Sequence, residues 1–438
     1  MRKLSLALIA VVVMGLALPM AAELCTIDAV PAATLLLPYF EVDTVSPTGV
    51  TTLFSVNNAS ASAVLAHVTI WSDLSVPVLD FDIYLTGYDV QTVNLRDIIV
   101  NGVIPRTASA GQDPADTISN KGQISQDINF ASCTGFLPPP PTIGSAYITH
   151  LINALTGKGS TLETGASRCY GVAYNDDIAR GYVTVDTVTG CSLFYPNDAA
   201  RYWTGYATFQ NVLWGDFFYV NPGQNFAQGD TLVHIEASLP GGGGAFDSFP
   251  VYTPFGAGDY TFYGRYVAFT GVDQREPLPS VYAARYADGG AFSGGTDLTV
   301  WRDSKVNQSP FSCPAVAGTR PTWYPLPTDQ IVVFDEEENP IVADTCPVSP
   351  CGPNETVTIP AEAQRVVMGV DIPVESSFGW VYLNLNFANS SGFLTPLAQA
   401  WVGMNMDAEG RFSVGLQGIA LNELCVGSSY ILPVNGPV

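Results

Sequence analysis

The chain has 438 residues, 47% of them hydrophobic and 13% charged, with 41 glycines and 32 prolines; that apolar content sets aside a disordered chain. Forty acidic residues against 17 basic ones give a net charge of −23, which repels phosphate backbones and argues against nucleic acid and anionic membranes as partners.

Met1-Arg2-Lys3 is basic, Leu4 to Leu18 is uncharged and mainly apolar, and Pro19-Met20-Ala21-Ala22 ends in small residues. That order predicts a secretory signal peptide over residues 1–22 and an exported chain, periplasmic, cell-surface or extracellular, with no transmembrane segment after cleavage. Leu24 stands directly before Cys25, which excludes a lipid-anchor site there. Cys25 then joins Cys133, Cys169, Cys191, Cys313, Cys346, Cys351 and Cys425 in an even set, a disulfide framework for an exported chain. Local pairs are expected, Cys169 with Cys133 or Cys191 and Cys313 with Cys346 or Cys351, with Cys25 to Cys425 tying the ends. No pair has the C-x-x-C spacing of a zinc site.

Between Thr34 and Leu95, short runs of β-branched and aromatic residues alternate with turn clusters at the spacing of a sandwich. Pro38 would break the first strand or put it at an edge. Phe81, Ile83 and Leu85 alternate with Asp80, Asp82 and Tyr84, predicting a half-exposed strand. Residues 106–170 are loop-rich, with a four-proline run at Pro138–Pro141. Ile148, Leu151, Ile152 and Leu155 then repeat at helical spacing. Strands return at Gly181–Val185, Asp216–Val220, Thr231–Ala237 and Tyr260–Phe269, the last two separated by a loop over Gly241–Gly244. Further strands follow at Leu298–Trp301 and Ile331–Phe334, with Asp335–Asn339 as a hairpin tip, and a final block runs from Val366. Arg180–Val185 and Phe378–Leu383 share a shape that hints at duplication.

The expected fold is all-β, with two or more antiparallel β-sandwich-like domains, long loops and one short helix. The expected units are residues 23–105, a loop-rich insertion at 106–170, a central β block at 171–275 and a C-terminal sandwich at 276–438. The passage Leu53–Ser60, the strand ending Val68-Thr69-Ile70-Trp71 and the hairpin from Tyr84 to Leu95 resemble immunoglobulin-like sandwich modules of bacterial surface proteins. The whole chain resembles exported bacterial all-β proteins. The first resemblance implies a scaffold and no activity, and from the second no site carries over.

Candidate chemistry is sparse. His234 and Glu236 share one face of a predicted strand and would be the acid/base pair of a polysaccharide hydrolase, or part of the solvated face of a sheet. Asp176 and Asp177 follow Asn175 in a turn and are the candidate calcium ligands; calcium is the one cofactor left open. Tyr202, Trp203, Tyr206 and Trp323 are candidate ligand-stacking aromatics. His67 reads as a packed histidine. The expected role is a secreted or surface-associated structural or binding protein, adhesin- or matrix-like, recognising glycan or protein. A secreted carboxylate-dependent polysaccharide hydrolase is the alternative.

Overall fold

The computed structural model describes residues 29–105, 143–159, 171–192, 194–238, 255–304, 326–342, 358–359, 361–387 and 398–422. The first half carries β1 (Thr34–Asp43), β2 (Thr51–Asn58), β3 (Val64–Ser72), β4 (Pro77–Leu85), β5 (Val90–Asn94), β6 (Ile178–Val188), β7 (Leu213–Trp214), β8 (Asp216–Asn221), β9 (Phe226–Thr231) and β10 (Val233–Ile235). The second carries β11 (Val281–Ala287), β12 (Gly295–Ser304), β13 (Leu326–Asp335), β14 (Pro340–Val342), β15 (Thr358–Ile359), β16 (Ala363–Val367), β17 (Phe378–Phe387), β18 (Ala398–Asp407), β19 (Ser413–Gln417) and β20 (Ile419–Ala420). Helices are short: α1 (Leu95–Ile99), α2 (Ser145–Leu155) and α3 (Tyr202–Gly205). Among the described residues no helix is long and apolar enough to cross a membrane.

Two antiparallel sheets form each half. In the first half their orders are β10-β1-β6-β3-β4 and β5-β2-β8-β9; in the second they are β20-β11-β17-β13-β14 and β16-β12-β18-β19. Apart from the two-residue strands β7 and β15, both halves place their strands in the same chain order at the same sheet positions. The inward residues of each sheet pair meet in one core: Val56, Phe54 and Phe217 against Val68, Val183 and Phe81 in the first, Leu298, Val300 and Val402 against Val333, Val381 and Leu383 in the second. Each such side chain contributes roughly 1.5–3 kcal/mol by leaving water. The chain is therefore two tandem β-sandwiches of one topology.

Local detail repeats as well. Trp71 faces Pro77 across the β3–β4 hairpin, and Phe334 faces Pro340 across β13–β14. Trp71 also faces Tyr182 of β6, while Phe334 faces Trp380 of β17, and both pairs stack. A glycine precedes each central-strand aromatic. At Gly181 a Cβ would overlap the Trp71 carbonyl oxygen, and at Gly379 the Phe334 carbonyl oxygen. Both sites bring two backbones too close for a side chain, so glycine is required.

Several expectations change. The blocks 23–105 and 171–275 are not separate, because β6, β8, β9 and β10 complete both sheets begun by β1–β5. Pro38 sits where the β1–β6 register shifts between Leu37 and Phe40, a bulge that tolerates its missing N–H. Tyr260–Phe269 is no strand; it runs in turns, with Ala268 and Phe269 at φ 52° and 53°. The β4 strand is buried on both faces. The helix at Ser145–Leu155 and the acidic hairpin tip at Asp335–Asn339 are where the sequence put them. The signal-peptide segment, Pro138–Pro141, Gly241–Gly244, Trp323 and every cysteine but Cys191 lie outside the described residues.

Candidate functional site

The outward face of sheet β10-β1-β6-β3-β4 divides into three zones, two of them covered and the third open as a cleft.

At one end a polar row crosses four strands: Thr34 of β1 faces Asp186 of β6, which faces His67 of β3, which faces Asp82 of β4. His67 Nδ1 lies 2.8 Å from Asp82 Oδ1, and its Nε2 lies 3.6 Å from Asp80 Oδ2. Burial works against the imidazolium, yet the Asp82 hydrogen bond and charge hold His67 above its ordinary pKa. Asp80 is pushed up to about 6 by burial, which the His67 charge only partly offsets. Asp186 accepts hydrogen bonds from Tyr202 Oη at 2.8 Å and Tyr263 Oη at 3.0 Å, and lies 3.5 Å from Arg275 Nε. These groups are at most 5% exposed, so the row is an internal clamp in which each charge has an opposite one beside it.

In the middle zone Trp71 stacks on Tyr182, and Trp301 of β12 meets Tyr182 edge-on at 6.0 Å. Arg265 joins the halves, 2.7 Å from Asp303 and 3.1 Å from Glu362, while Tyr182 Oη donates to Glu362 at 3.2 Å.

At the far end the two sandwiches part, leaving a cleft of about 560 Å³. Glu41 and Arg180, opposite each other on β1 and β6, form one wall, and Asp297 of β12 and Arg365 of β16 form the other. Arg365 bridges the walls, 3.2 Å from Glu41 and 2.5 Å from Asp297. Asn405 donates to Asp297 at 2.7 Å, and Tyr39 Oη donates to Glu41 at 2.8 Å. Arg180 grips Asp176 through two bonds, at 2.8 and 2.7 Å. Burial opposes the charge on Arg180, but the Asp176 bond and nearby Glu41 raise its pKa overall; the Arg180 bond in turn lowers that of Asp176. Tyr174 carries the Arg180 guanidinium over its ring at 4.6 Å and keeps 41% of its surface exposed. Asp407 Oδ1, in the cleft lining, has no hydrogen-bond partner among the described residues.

The residues singled out in the sequence fall elsewhere, with one exception. Asp176 borders the cleft through Arg180, and Asp177 pairs with Lys158 at 2.7 Å. The two carboxylates are thus drawn to different cations, and no metal-type cluster occurs among the described residues. Tyr202 and Trp203 are buried in the clamp, not exposed for stacking, and Tyr206 packs near Phe194. His234 and Glu236 are 3% and 6% exposed, so their sheet face is no solvated one. His234 Nε2 accepts from the Gly215 N–H at 3.2 Å, and neither residue lines the cleft. Cys191 is not a free thiol.

Sequence reasoning missed Glu41, Arg180, Asp297 and Arg365. For His67 and Asp82 the turn count misleads: counted outward from the Ser72–Val76 turn His67 would face Phe81, and a register shift between Ile70 and Trp71 sets it opposite Asp82. No protein-family model, curated protein or solved structure matches the chain.

Proposed function

We propose that the protein is an exported binding protein, adhesin- or matrix-like, whose inter-sandwich cleft takes a neutral glycan. The observation that carries this reading is the cleft's internally paired polar chain, in which both lining arginines are matched by carboxylates that outnumber them. Arg365 and Arg180 are spent on Glu41, Asp297 and Asp176, which leaves no unmatched cation to hold an anionic ligand. The −23 net charge disfavours anions further. What the cleft offers is amides, fixed carboxylate oxygens and the partly exposed Tyr174 ring, the donors, acceptors and stacking surface that a sugar uses. The likeness of the first sandwich to immunoglobulin-like modules of bacterial surface proteins belongs to the same reading. Burial of His234 and Glu236 away from the cleft speaks against the hydrolase alternative.

Titration calorimetry of the purified chain against neutral oligosaccharides, repeated with Tyr174→Ala and Arg365→Met, tests the reading. Saturable binding weakened about tenfold or more in both variants is expected. Binding restricted to acidic ligands, or unchanged in both variants, would sink it.

A further inference from the structure

The joint between the sandwiches uses unlike faces. The first sandwich contributes the outward face of its β10-β1-β6-β3-β4 sheet, centred on Trp71 and Tyr182. The second contributes the outward face of β16-β12-β18-β19, where Trp301 and Trp401 are buried as part of the first sandwich's core.

Because the sandwiches share one topology, each owns both kinds of face, and the joint consumes only one from each. Two equivalents remain. On the first sandwich it is the outward face of β5-β2-β8-β9, with Val90 57%, Trp214 42% and Phe218 46% exposed. Val90 and Trp214 flank Asn57, and Phe218 faces Leu53 across the ladder, so the three share that side. On the second sandwich it is the outward face of β20-β11-β17-β13-β14. There Phe334 and Trp380 stand in the positions of Trp71 and Tyr182, stacked at 4.1 Å but only half-buried. Phe378 and Ile419 on the same side are 41% and 67% exposed.

We infer that these two faces join one copy of the chain to the next, head to tail, repeating the joint inside each chain. The occupant is a second copy, because the partner that the stacked Phe334–Trp380 pair matches is the kind of face the Trp71–Tyr182 pair already holds. Contact between unlike faces is head-to-tail, so the product is a ring or an open chain of copies and not an isologous dimer. Arg285, exposed and directly opposite Trp380, is suited to an acidic partner. Mutual repulsion of chains at −23 opposes assembly, so salt promotes it.

Analytical ultracentrifugation of the full chain over a concentration series, at low and high salt, provides the test. The wild type should grow beyond the dimer mass with concentration, more so at high salt. Phe218→Asp and Phe378→Asp should each run as single chains, yet their mixture should give a one-to-one dimer that grows no further, since each supplies the face that the other lacks. Circular dichroism checks that both fold; Trp214→Asp and Ile419→Asp replace them if either does not. A wild type that stays a single chain at every concentration, a variant that dimerises alone, or a mixture that stays monomeric would each overturn the proposal.

Discussion

Ser75 and Glu338 hold the same left-handed backbone conformation, at φ 60° and 63°, at the same point of two hairpins. Each lies four residues past the stacked aromatic, Trp71 or Phe334, and two before the facing proline, Pro77 or Pro340. The hairpin is thus the most closely repeated detail of the two sandwiches, although their residues differ. In one the hairpin is buried and Ser75 Oγ bonds Tyr182 Oη at 2.8 Å; in the other Glu338 is exposed.

That contrast predicts different outcomes for one substitution. A left-handed conformation costs a non-glycine residue roughly 1–2 kcal/mol. Glu338→Gly relieves it with nothing lost and should stabilise by about 0.5–1 kcal/mol after the entropy that glycine adds to the unfolded chain. Ser75→Gly relieves the same strain but removes the Tyr182 bond, and should be neutral or destabilising. Urea midpoints of the two variants compare them directly.

The His67–Asp80–Asp82 group sets a pH trend. Burial places Asp80 at about 6, above its ordinary 3.8, and Asp82 keeps His67 above its ordinary 6.5 against the pull of burial. Both groups bind protons more tightly in the folded state, so their contribution is full below pH 3.8. It falls as pH rises through about 6 and goes on falling past 6.5 as His67 deprotonates. Melting temperatures from pH 4 to 8 should therefore fall more steeply for the wild type than for Asp80→Asn; parallel curves would contradict the assignment.

Asp186→Ala should be among the most damaging single changes. It leaves Tyr202, Tyr263 and Thr34 without their carboxylate acceptor, and Arg275 with Asp273, 3.6 Å away, as its one remaining carboxylate beside its bonds to Thr34 and the Thr208 carbonyl. Removing one partner of a buried charge cluster costs about 3–5 kcal/mol. Chemical denaturation measures the loss, and Asp186→Asn, which keeps the acceptor shape, should recover part of it.

Trp301→Ala opens the joint between the sandwiches. The indole packs on Tyr182 and on Phe262, 5.4 Å away, and its loss should cost about 3–5 kcal/mol. Beside Trp301, only Ala363 and Trp401 of the second sandwich reach into the first core, so calorimetry of the variant should show two unfolding peaks where the wild type shows one.

The chain's own pattern determined much of this protein. Period-two alternation and turn clusters located most strands, the Ile148–Leu155 spacing located α2, and the likeness of Arg180–Val185 to Phe378–Leu383 pointed to duplication. These are local signals, carried by residues two to four apart, and the repeated glycine–aromatic step survives because two backbones close in on Gly181 and Gly379. The site did not read out in the same way. Glu41 and Arg180 come from the paired strands β1 and β6, Asp297 and Arg365 from β12 and β16, and only the packing of one sandwich on the other brings the two pairs together. Alternation likewise told that Asp80, Asp82, His234 and Glu236 share a face with polar residues, but not that the face is covered. Tyr263, Arg265 and Arg275 arrive on it from a segment that runs in turns where a strand was expected at Tyr260–Phe269, and that covering turns a solvated sheet face into a buried clamp beside a cleft.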